Sequence, residues 1–163
     1  AGGAHIILIP EIPFDYDKVA AAIEARAARG NLSAIVVVAE GAKPRHGQVV
    51  MRHCEEGEDR YGGIGLVVAG EIAARTGKET RCTVLGHLQR GGTPTTLDRI
   101  LGTRFGVKAV KLIREKQFGS MVSYQNYQVR HVPIADAVNR LRLVPPDGEL
   151  VQTARDVDIS FGA

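Results

Sequence analysis

Between residues 81 and 92, an apolar stretch is followed by a histidine, an arginine and two glycines. The segment reads Arg-Cys-Thr-Val-Leu-Gly-His-Leu-Gln-Arg-Gly-Gly, so His87 and Arg90 come directly after the apolar residues. An arginine presents a planar fork of N–H donors for phosphate oxygens, and a histidine adds a donor whose charge depends on pH. Gly91 and Gly92 allow backbone amides to approach a ligand closely. The segment indicates a phosphate site, although a tight connection beside a solvated arginine would contain the same residues.

The elements around this segment are expected to position it at the edge of a sheet. Cys82, Val84 and Leu85 predict a buried strand of a parallel sheet that ends at Gly86. Ligands of open α/β sheets bind at the carboxyl ends of the strands, which is where the histidine and the arginine fall. Residues 93–96 predict a capped helix start, whose free N–H groups favour negative charge.

The preceding residues predict alternating strands and helices. Residues 5–11 and 34–39 indicate short strands, and residues 15–29 between them have the apolar periodicity of a helix. Residues 62–75 predict a second helix, after polar residues 43–60 that indicate an exposed loop. A strand, a helix and a strand in this order imply a parallel crossover and an α/β fold.

The residues after 95 predict a long helix, a hairpin and a shorter helix. The long helix runs from 96 to about 116, and two strands follow at 120–125 and 127–132. Pro133 is suited to the first position of a helix, and the tail from Leu143 has no long periodic element.

Composition argues against several classes of function. The chain has 163 residues, of which 44% are hydrophobic and 24% charged, so disorder is not expected. The net charge of +3 is dispersed and only 5% of residues are aromatic, which argues against nucleic-acid binding. We find no signal peptide and no membrane-spanning run, and the two cysteines form neither a disulfide framework nor a metal set. These features predict a cytoplasmic protein that has no membrane partner.

Several separated motifs closely resemble the phosphofructokinase family. The segment 79–92 resembles a signature of that family, and further matching motifs are Pro10-Glu11, Ala39-Glu40-Gly41, Gly62-Gly63-Ile64-Gly65 and Leu97-Asp98-Arg99. The resemblance implies a Rossmann-like three-layer sandwich with a mainly parallel sheet, as one lobe of a two-lobed phosphofructokinase. It implies a fructose-6-phosphate-binding domain at residues 1–118. A hairpin, helix and tail at residues 119–163 would pack back on a missing N-terminal lobe.

The resemblance assigns binding of the sugar phosphate to four residues. Glu40 matches an acid that hydrogen-bonds the sugar hydroxyls, and His87 and Arg90 match the pair that binds the phosphate. Arg81 matches an arginine that reaches into the site of a neighbouring subunit. Each has a structural alternative: Glu40 could cap its loop, His87 could be a strand-end histidine, and Arg81 could be an ordinary surface charge.

A second, regulatory site is implied only in part. Glu11 matches an acid of the family's effector site, and Arg29 matches one of its basic residues. Nucleotide-regulated bacterial members carry a lysine-rich turn before the second strand, whereas this chain has Gly30-Asn31-Leu32-Ser33 there.

No catalytic residue and no metal ligand are expected in this chain. In the family, a Gly-rich donor site, a Gly-Asp-Gly-Ser type turn and a Thr-Ile-Asp motif hold the donor phosphates, Mg²⁺ and the base, and all three are absent here. Because the sequence opens on Ala-Gly-Gly-Ala without an initiator Met, we expect the C-terminal portion of a longer, homodimeric or homotetrameric 6-phosphofructokinase. The donor, ATP or pyrophosphate with Mg²⁺, would be bound mainly by the missing N-terminal portion, and the fragment alone would be inactive. The alternative is a non-catalytic sugar-phosphate-binding or regulatory module on the same fold.

Overall fold

The computed structural model describes residues 2–47, 50–53, 59–139 and 141–163. The elements, in chain order, are β1 (Ile6–Leu8), α1 (Tyr16–Ala28), β2 (Val36–Val38), β3 (Met51–His53), β4 (Asp59–Tyr61), α2 (Ile64–Thr76), a 3₁₀ helix (Gly86–Arg90), α3 (Thr96–Arg114), β5 (Ser120–Gln125), β6 (Gln128–Pro133), α4 (Ile134–Val138) and α5 (Glu149–Asp156). They form two compact units, which we call unit 1 (Ala1–Val84 with Leu143–Ala163) and unit 2 (Leu85–Arg142). The division expected at residue 118 stays a prediction.

Unit 1 begins with the predicted strand, helix and strand. β1 and β2 pair in parallel, with Ile6 opposite Val36 and Leu8 opposite Val38. Asp15 caps α1, because its side chain accepts a hydrogen bond from the backbone N–H of Asp17 at 2.8 Å. The predicted parallel crossover is therefore confirmed.

Helices lie on both faces of β1, which gives the predicted α/β arrangement of three layers. One face packs against α1 and α2 in a buried cluster of nine residues: Ile6, Leu8, Phe14, Val19, Ile23, Ala42, Ile64, Val68 and Ile72. On the opposite face, Ile7 and Ile9 pack against Ile12, Val151 of α5 and Phe161. Since successive strand residues point to opposite faces, a short apolar run is sufficient to serve both clusters.

An arginine ties α1 to α2 at the edge of the first cluster. Arg75 donates to Asp17 Oδ1 at 2.7 Å, pairs with Glu71, and lies 5.0 Å from the centroid of the Tyr16 ring. The hydrogen bonds to Asp17 and Glu71 raise the pKa of Arg75. Burial, followed by the charge of Glu71, raises the pKa of Tyr16. These contacts hold α1 and α2 together on the same face of the sheet.

The structure corrects the predictions for the polar loop and for the tail of unit 1. The polar segment predicted to be an exposed loop contains the antiparallel strands β3 and β4. Backbone pairing needs no apolar side chains, so the hydrophobic pattern gave no signal for this hairpin. Cys54, Glu55, Glu56 and Glu58 lie outside the described residues. The tail, predicted without a long element, contains the eight-residue helix α5, which buries Val151.

The strand predicted at residues 82–85 is not present in the structure. Val84 is 66% exposed and Leu85 51% exposed, and residues 81–85 have no regular secondary structure. A strand exists only through hydrogen bonds to a neighbouring strand, and none of the described ladders includes this segment. An apolar run alone was therefore insufficient to make a strand here.

Unit 2 consists of the predicted long helix, hairpin and short helix. β5 and β6 pair antiparallel around Asn126 and Tyr127, which have left-handed φ angles of 48° and 62°. Such a pair makes a two-residue hairpin turn that matches the twist of the strands. Arg104 of α3 donates to the carbonyl oxygen of Tyr127 at 3.3 Å. α4 ends at Val138, before the predicted position Leu141, which is 86% exposed. Within the described ranges, no helix is both long and apolar enough to span a lipid bilayer.

Gly162 is the point at which the C-terminal segment enters the core of unit 1. Its φ is 67°, and a Cβ there would lie 2.7 Å from Val19 Cγ2, 3.1 Å from Phe14 Cβ and 3.3 Å from Leu8 Cδ2. Gly162→Ala would add backbone strain to overpacking. We expect it to lower the free energy of unfolding by about 2–4 kcal/mol in urea denaturation. Gly30→Ala is the matched control, because Gly30 has a φ of 86° and a methyl group there would meet no atom within 4 Å. Equal losses in the two variants would contradict the tight packing.

Candidate functional site

The two predicted phosphate-binding residues lie in one 3₁₀ helix. His87 and Arg90 are three residues apart in the helix Gly86–Arg90, and both are exposed. A 3₁₀ helix has three residues per turn, so side chains three positions apart lie on the same side. The periodicity of the 3₁₀ helix therefore places the two residues on the same side of an exposed turn, although the strand expected before them is absent.

Left-handed glycines border this turn. Gly86 has a φ of 46° and Gly92 a φ of 100°, which residues with a side chain rarely adopt. The backbone N–H of Gly91 closes the turn on the carbonyl oxygen of Leu88 at 3.1 Å. The glycines thus fix where the 3₁₀ helix starts and stops.

The start of α3 is capped by its own residues. Thr95 and Asp98 form a capping box: the Thr95 backbone N–H and hydroxyl each donate to Asp98 Oδ2 at 2.7 Å, and the Asp98 N–H donates to Thr95 Oγ1 at 3.3 Å. The Thr95 hydroxyl and then its backbone N–H hold the pKa of Asp98 below its usual value. A carboxylate therefore already faces the positive end of the helix. The anion donors of this segment are the side chains of the 3₁₀ helix rather than the helix start.

Glu40 lies where the sequence predicts it, just after the carboxyl end of β2. The segment turns back at once, since Ala39 N–H donates to the Leu8 carbonyl and Ala42 N–H donates to the Ala39 carbonyl, both at 2.9 Å. The turn packs against Pro10, whose Cγ lies 3.1 Å from the position of a Cβ on Gly41. The Glu40 carboxylate is exposed, and its oxygens can accept hydrogen bonds from hydroxyl groups.

Arg81 is exposed and pairs with a neighbour in the chain. Its Nε and one terminal nitrogen donate to Glu79 Oε1 at 2.9 and 2.8 Å. The two side chains are 87% and 76% exposed, so water screens this ion pair. Arg81 is held loosely and remains accessible to another anion.

The structure does not bring Glu11 and Arg29 into one cluster. Glu11 follows the carboxyl end of β1, where Oε1 accepts the Val144 N–H at 3.0 Å and Oε2 is buried. Arg29 lies at the end of α1, where it pairs with Asp158 at 3.4 Å. Arg29 lines a cavity of about 580 Å³ together with Arg26, Arg155 and His5, at the amino end of β1. The sequence gave no signal for this cavity, because Arg155 comes from the unpredicted α5.

The predicted site residues divide between the two units. Glu40 and Arg81 belong to unit 1, and His87 and Arg90 belong to unit 2. In the part of the chain that the structure describes, no three His, Cys, Asp or Glu side chains could together hold a metal ion. The chemistry that these side chains offer is recognition of anions and hydroxyl groups.

The comparisons with known sequences all point to the same protein family. A family model described as Phosphofructokinase matches residues 1–113. The chain is 50% identical to "ATP-dependent 6-phosphofructokinase 1" of Synechocystis sp. over 99% of its length and 45% of that protein. It is 47% identical to "ATP-dependent 6-phosphofructokinase" of Mycobacterium bovis over 89% of its length and 43% of that protein. The chain therefore spans less than half the length of these curated relatives.

Solved structures give the same family of folds. Phosphofructokinase from Pichia pastoris in the T-state matches with a TM-score of 0.58 and 32% identity, over 98% of this chain and 16% of that one. Pyrophosphate-dependent phosphofructokinase from Nitrosospira multiformis matches with a TM-score of 0.64 and 21% identity, over 95% of this chain and 40% of that one. At 21% identity, the second match concerns the fold alone.

The capping box makes the stability of the chain depend on pH. Because hydrogen bonds lower the pKa of Asp98 from 3.8, its contribution is present above that value and is lost as the pH falls through the lower, folded-state pKa. We expect Asp98→Asn to destabilise the chain at pH 7 and the difference from wild type to shrink below about pH 4. Urea denaturation at a series of pH values measures both. Glu24→Gln, on the exposed side of α1, is the control. A constant gap for Asp98→Asn would contradict the role of its charge.

Proposed function

We propose, since this chain belongs to the phosphofructokinase family, that it forms the sugar-phosphate-binding portion of a 6-phosphofructokinase. Such an enzyme transfers a phosphoryl group from ATP or pyrophosphate to the 1-hydroxyl of fructose 6-phosphate. The observation that carries the proposal is the pair His87 and Arg90 on one face of the 3₁₀ helix, within a segment that resembles the family signature.

The roles of the two cationic donors follow from their chemistry. A sugar phosphate carries a dianion with three terminal oxygens, and the Arg90 guanidinium can donate two parallel hydrogen bonds to two of them. His87 donates a further hydrogen bond from the same side of the 3₁₀ helix. Both side chains are exposed, so a ligand in solution can reach them.

Glu40 and Arg81 complete the proposed recognition of the substrate. The Glu40 carboxylate accepts hydrogen bonds from sugar hydroxyls, which orients the ring while the phosphate is held. Arg81 reaches the site of a neighbouring subunit and therefore needs self-association as a homodimer or homotetramer. Its exposed ion pair with Glu79 is worth about 0–1 kcal/mol, so exchanging Glu79 for a phosphate costs little.

The donor and the metal are proposed to bind outside this chain. The relatives are more than twice as long as the part that matches here, which leaves room for the donor site and the catalytic base. When bound, Mg²⁺ with ATP or pyrophosphate supplies the phosphoryl group and neutralises its charge. The residues of this chain bind and orient the sugar. We propose that residues 119–163, whose tail from Leu143 also packs within unit 1, contact the remainder of such an enzyme, and that the enzyme acts in glycolysis in the cytoplasm.

Regulation is a second proposal, and the cavity at the amino end of β1 favours it. Arg26, Arg29 and Arg155 line this cavity together with Asp158, which pairs with Arg29, so the lining has an excess of positive charge for an anionic effector. Arg29 is the candidate effector-site residue of this cavity. Glu11 does not line the cavity, since its carboxylate accepts the Val144 N–H at the other end of β1, and its effector role stays a prediction.

Replacing Arg90 tests the proposed substrate site. Arg90→Ala should weaken binding of fructose 6-phosphate about 10- to 100-fold in calorimetry, because a charge-assisted hydrogen bond contributes about 1.5–3 kcal/mol. Arg90→Lys should bind with intermediate affinity, since it keeps the charge and loses the planar fork. Arg130→Ala is the matched control: Arg130 is an exposed arginine of unit 2 that donates to Gln128. If Arg90→Ala binds as tightly as wild type, the substrate role of Arg90 is wrong.

The chain by itself should not phosphorylate fructose 6-phosphate. A coupled assay with Mg²⁺ and either ATP or pyrophosphate should give no rate above background, because we propose that the donor site and the base lie outside this chain. An intact ATP-dependent 6-phosphofructokinase serves as the positive control. Calorimetry on the same sample shows whether the chain is folded and binds sugar phosphate. Measurable turnover would refute the proposal that the donor site and the catalytic base lie outside this chain. Binding of fructose 6-phosphate without turnover is the result that we expect.

A further inference from the structure

The first turn of α2 contacts the segment that carries Arg81. A Cβ on Gly65, the second residue of α2, would lie 3.2 Å from the Sγ of Cys82, which is closer than an ordinary carbon–sulfur contact. Cys82 is partly buried, whereas its neighbours Arg81 and Thr83 are exposed. The thiol therefore packs inward against Gly65, between two exposed side chains.

A glycine at position 65 lowers the stability of α2, and the contact with Cys82 explains why a glycine is nevertheless found there. Glycine is a poor helix former, and α2 contains two of them after its start, Gly65 and Gly70. At Gly70 a Cβ would meet nothing within 4 Å, whereas at Gly65 it would meet the Cys82 thiol. Only the first of these two glycines is required by packing.

The segment from Lys78 to Val84 has no regular secondary structure that could fix its course. Its described polar contacts are local, such as Thr80 Oγ1 with the Lys78 carbonyl at 3.2 Å and Arg81 with Glu79 at 2.8 Å. A packing contact to a helix can fix a segment that local hydrogen bonds cannot. Cys82 is adjacent to Arg81 in the chain, so a shift of the thiol moves the arginine.

We propose that Gly65 is a positioning residue of the sugar-phosphate site: because Gly65 has no side chain, the Cys82 thiol packs on α2, and this contact fixes the backbone position from which the Arg81 side chain extends. The inference rests on the proposed function, because it assumes that Arg81 contacts the phosphate of fructose 6-phosphate. It adds a residue on α2 that does not touch the ligand. Gly65 acts through Cys82, and the pair forms one packing unit.

The test is a set of variants of the chain with matched controls. Gly65→Ala should bind fructose 6-phosphate roughly tenfold more weakly, the loss expected when one charge-assisted hydrogen bond to the phosphate is misaligned. Gly65→Ala/Cys82→Ala should recover affinity, because removing the sulfur makes room for the methyl group. Gly70→Ala, in the same helix, should bind as wild type. These comparisons separate packing at Cys82 from a general effect of alanine in α2.

Two further measurements distinguish positioning from a loss of stability. In an Arg81→Ala background, Gly65→Ala should cause no additional loss of affinity, because the group that it positions is gone. With Cys54 replaced by serine, Cys82 is the sole cysteine of the chain, and Gly65→Ala should speed its reaction with a thiol reagent.

The outcomes are distinct. Wild-type affinity in Gly65→Ala, or no recovery when Cys82→Ala is added, overturns the inference. Wild-type affinity in Arg81→Ala, with loss in Arg90→Ala, overturns it as well and leaves the proposed function intact. A wild-type chain that does not bind fructose 6-phosphate refutes the proposed function. In that case the thiol reaction rate alone judges the packing, and an unchanged rate in Gly65→Ala overturns it.

Discussion

The burial of β1 on both faces is the constraint on which unit 1 depends. Residues of β1 and its flanks serve two clusters at once, one under α1 and α2 and the other under α5. The C-terminal segment pairs beside the same strand, since Ile7 N–H donates to the Ser160 carbonyl at 2.9 Å and Ser160 N–H donates to the His5 carbonyl at 3.1 Å. The last residues of the chain are thus required to complete the core around its first strand, and the two ends of the sequence fold as one unit.

This arrangement determines what the carboxyl edge of the sheet can do. Because β1 and β2 are parallel and in fixed register, their carboxyl ends meet at one edge, and the Glu40 turn is seated against Pro10 there. Binding groups at such an edge are carried by short turns on a rigid base, which limits the movement of the carboxylate. In unit 2 the movement of the binding groups is limited by a different arrangement. Two left-handed glycines and a capped helix confine His87 and Arg90 to a single turn of 3₁₀ helix.

A comparison of α1 with α5 shows which elements could be predicted from the sequence. α1 has a capping aspartate, a buried apolar stripe and a glycine after its end, so several independent signals predict it. α5 buries a single residue, Val151, and its place is decided by the cluster with Ile12 and Phe161. β3 and β4 likewise pair through their backbones, without an apolar pattern. Elements held by local periodicity are predictable, whereas elements held by distant partners are not.

The sequence by itself determined the β-α-β crossover, α2, α3, the β5–β6 hairpin and the residue types of the candidate site. Their signals are local: periodicity, capping residues and the order His87, Arg90 and two glycines. Only the tertiary structure decided that residues 82–85 have no strand partner among the described strands, that α5 covers the second face of β1, and that Arg29 shares a cavity with Arg155. The physical reason is that strand pairing, face coverage and cavity lining are contacts between residues far apart in the chain, on which short-range sequence patterns carry no information.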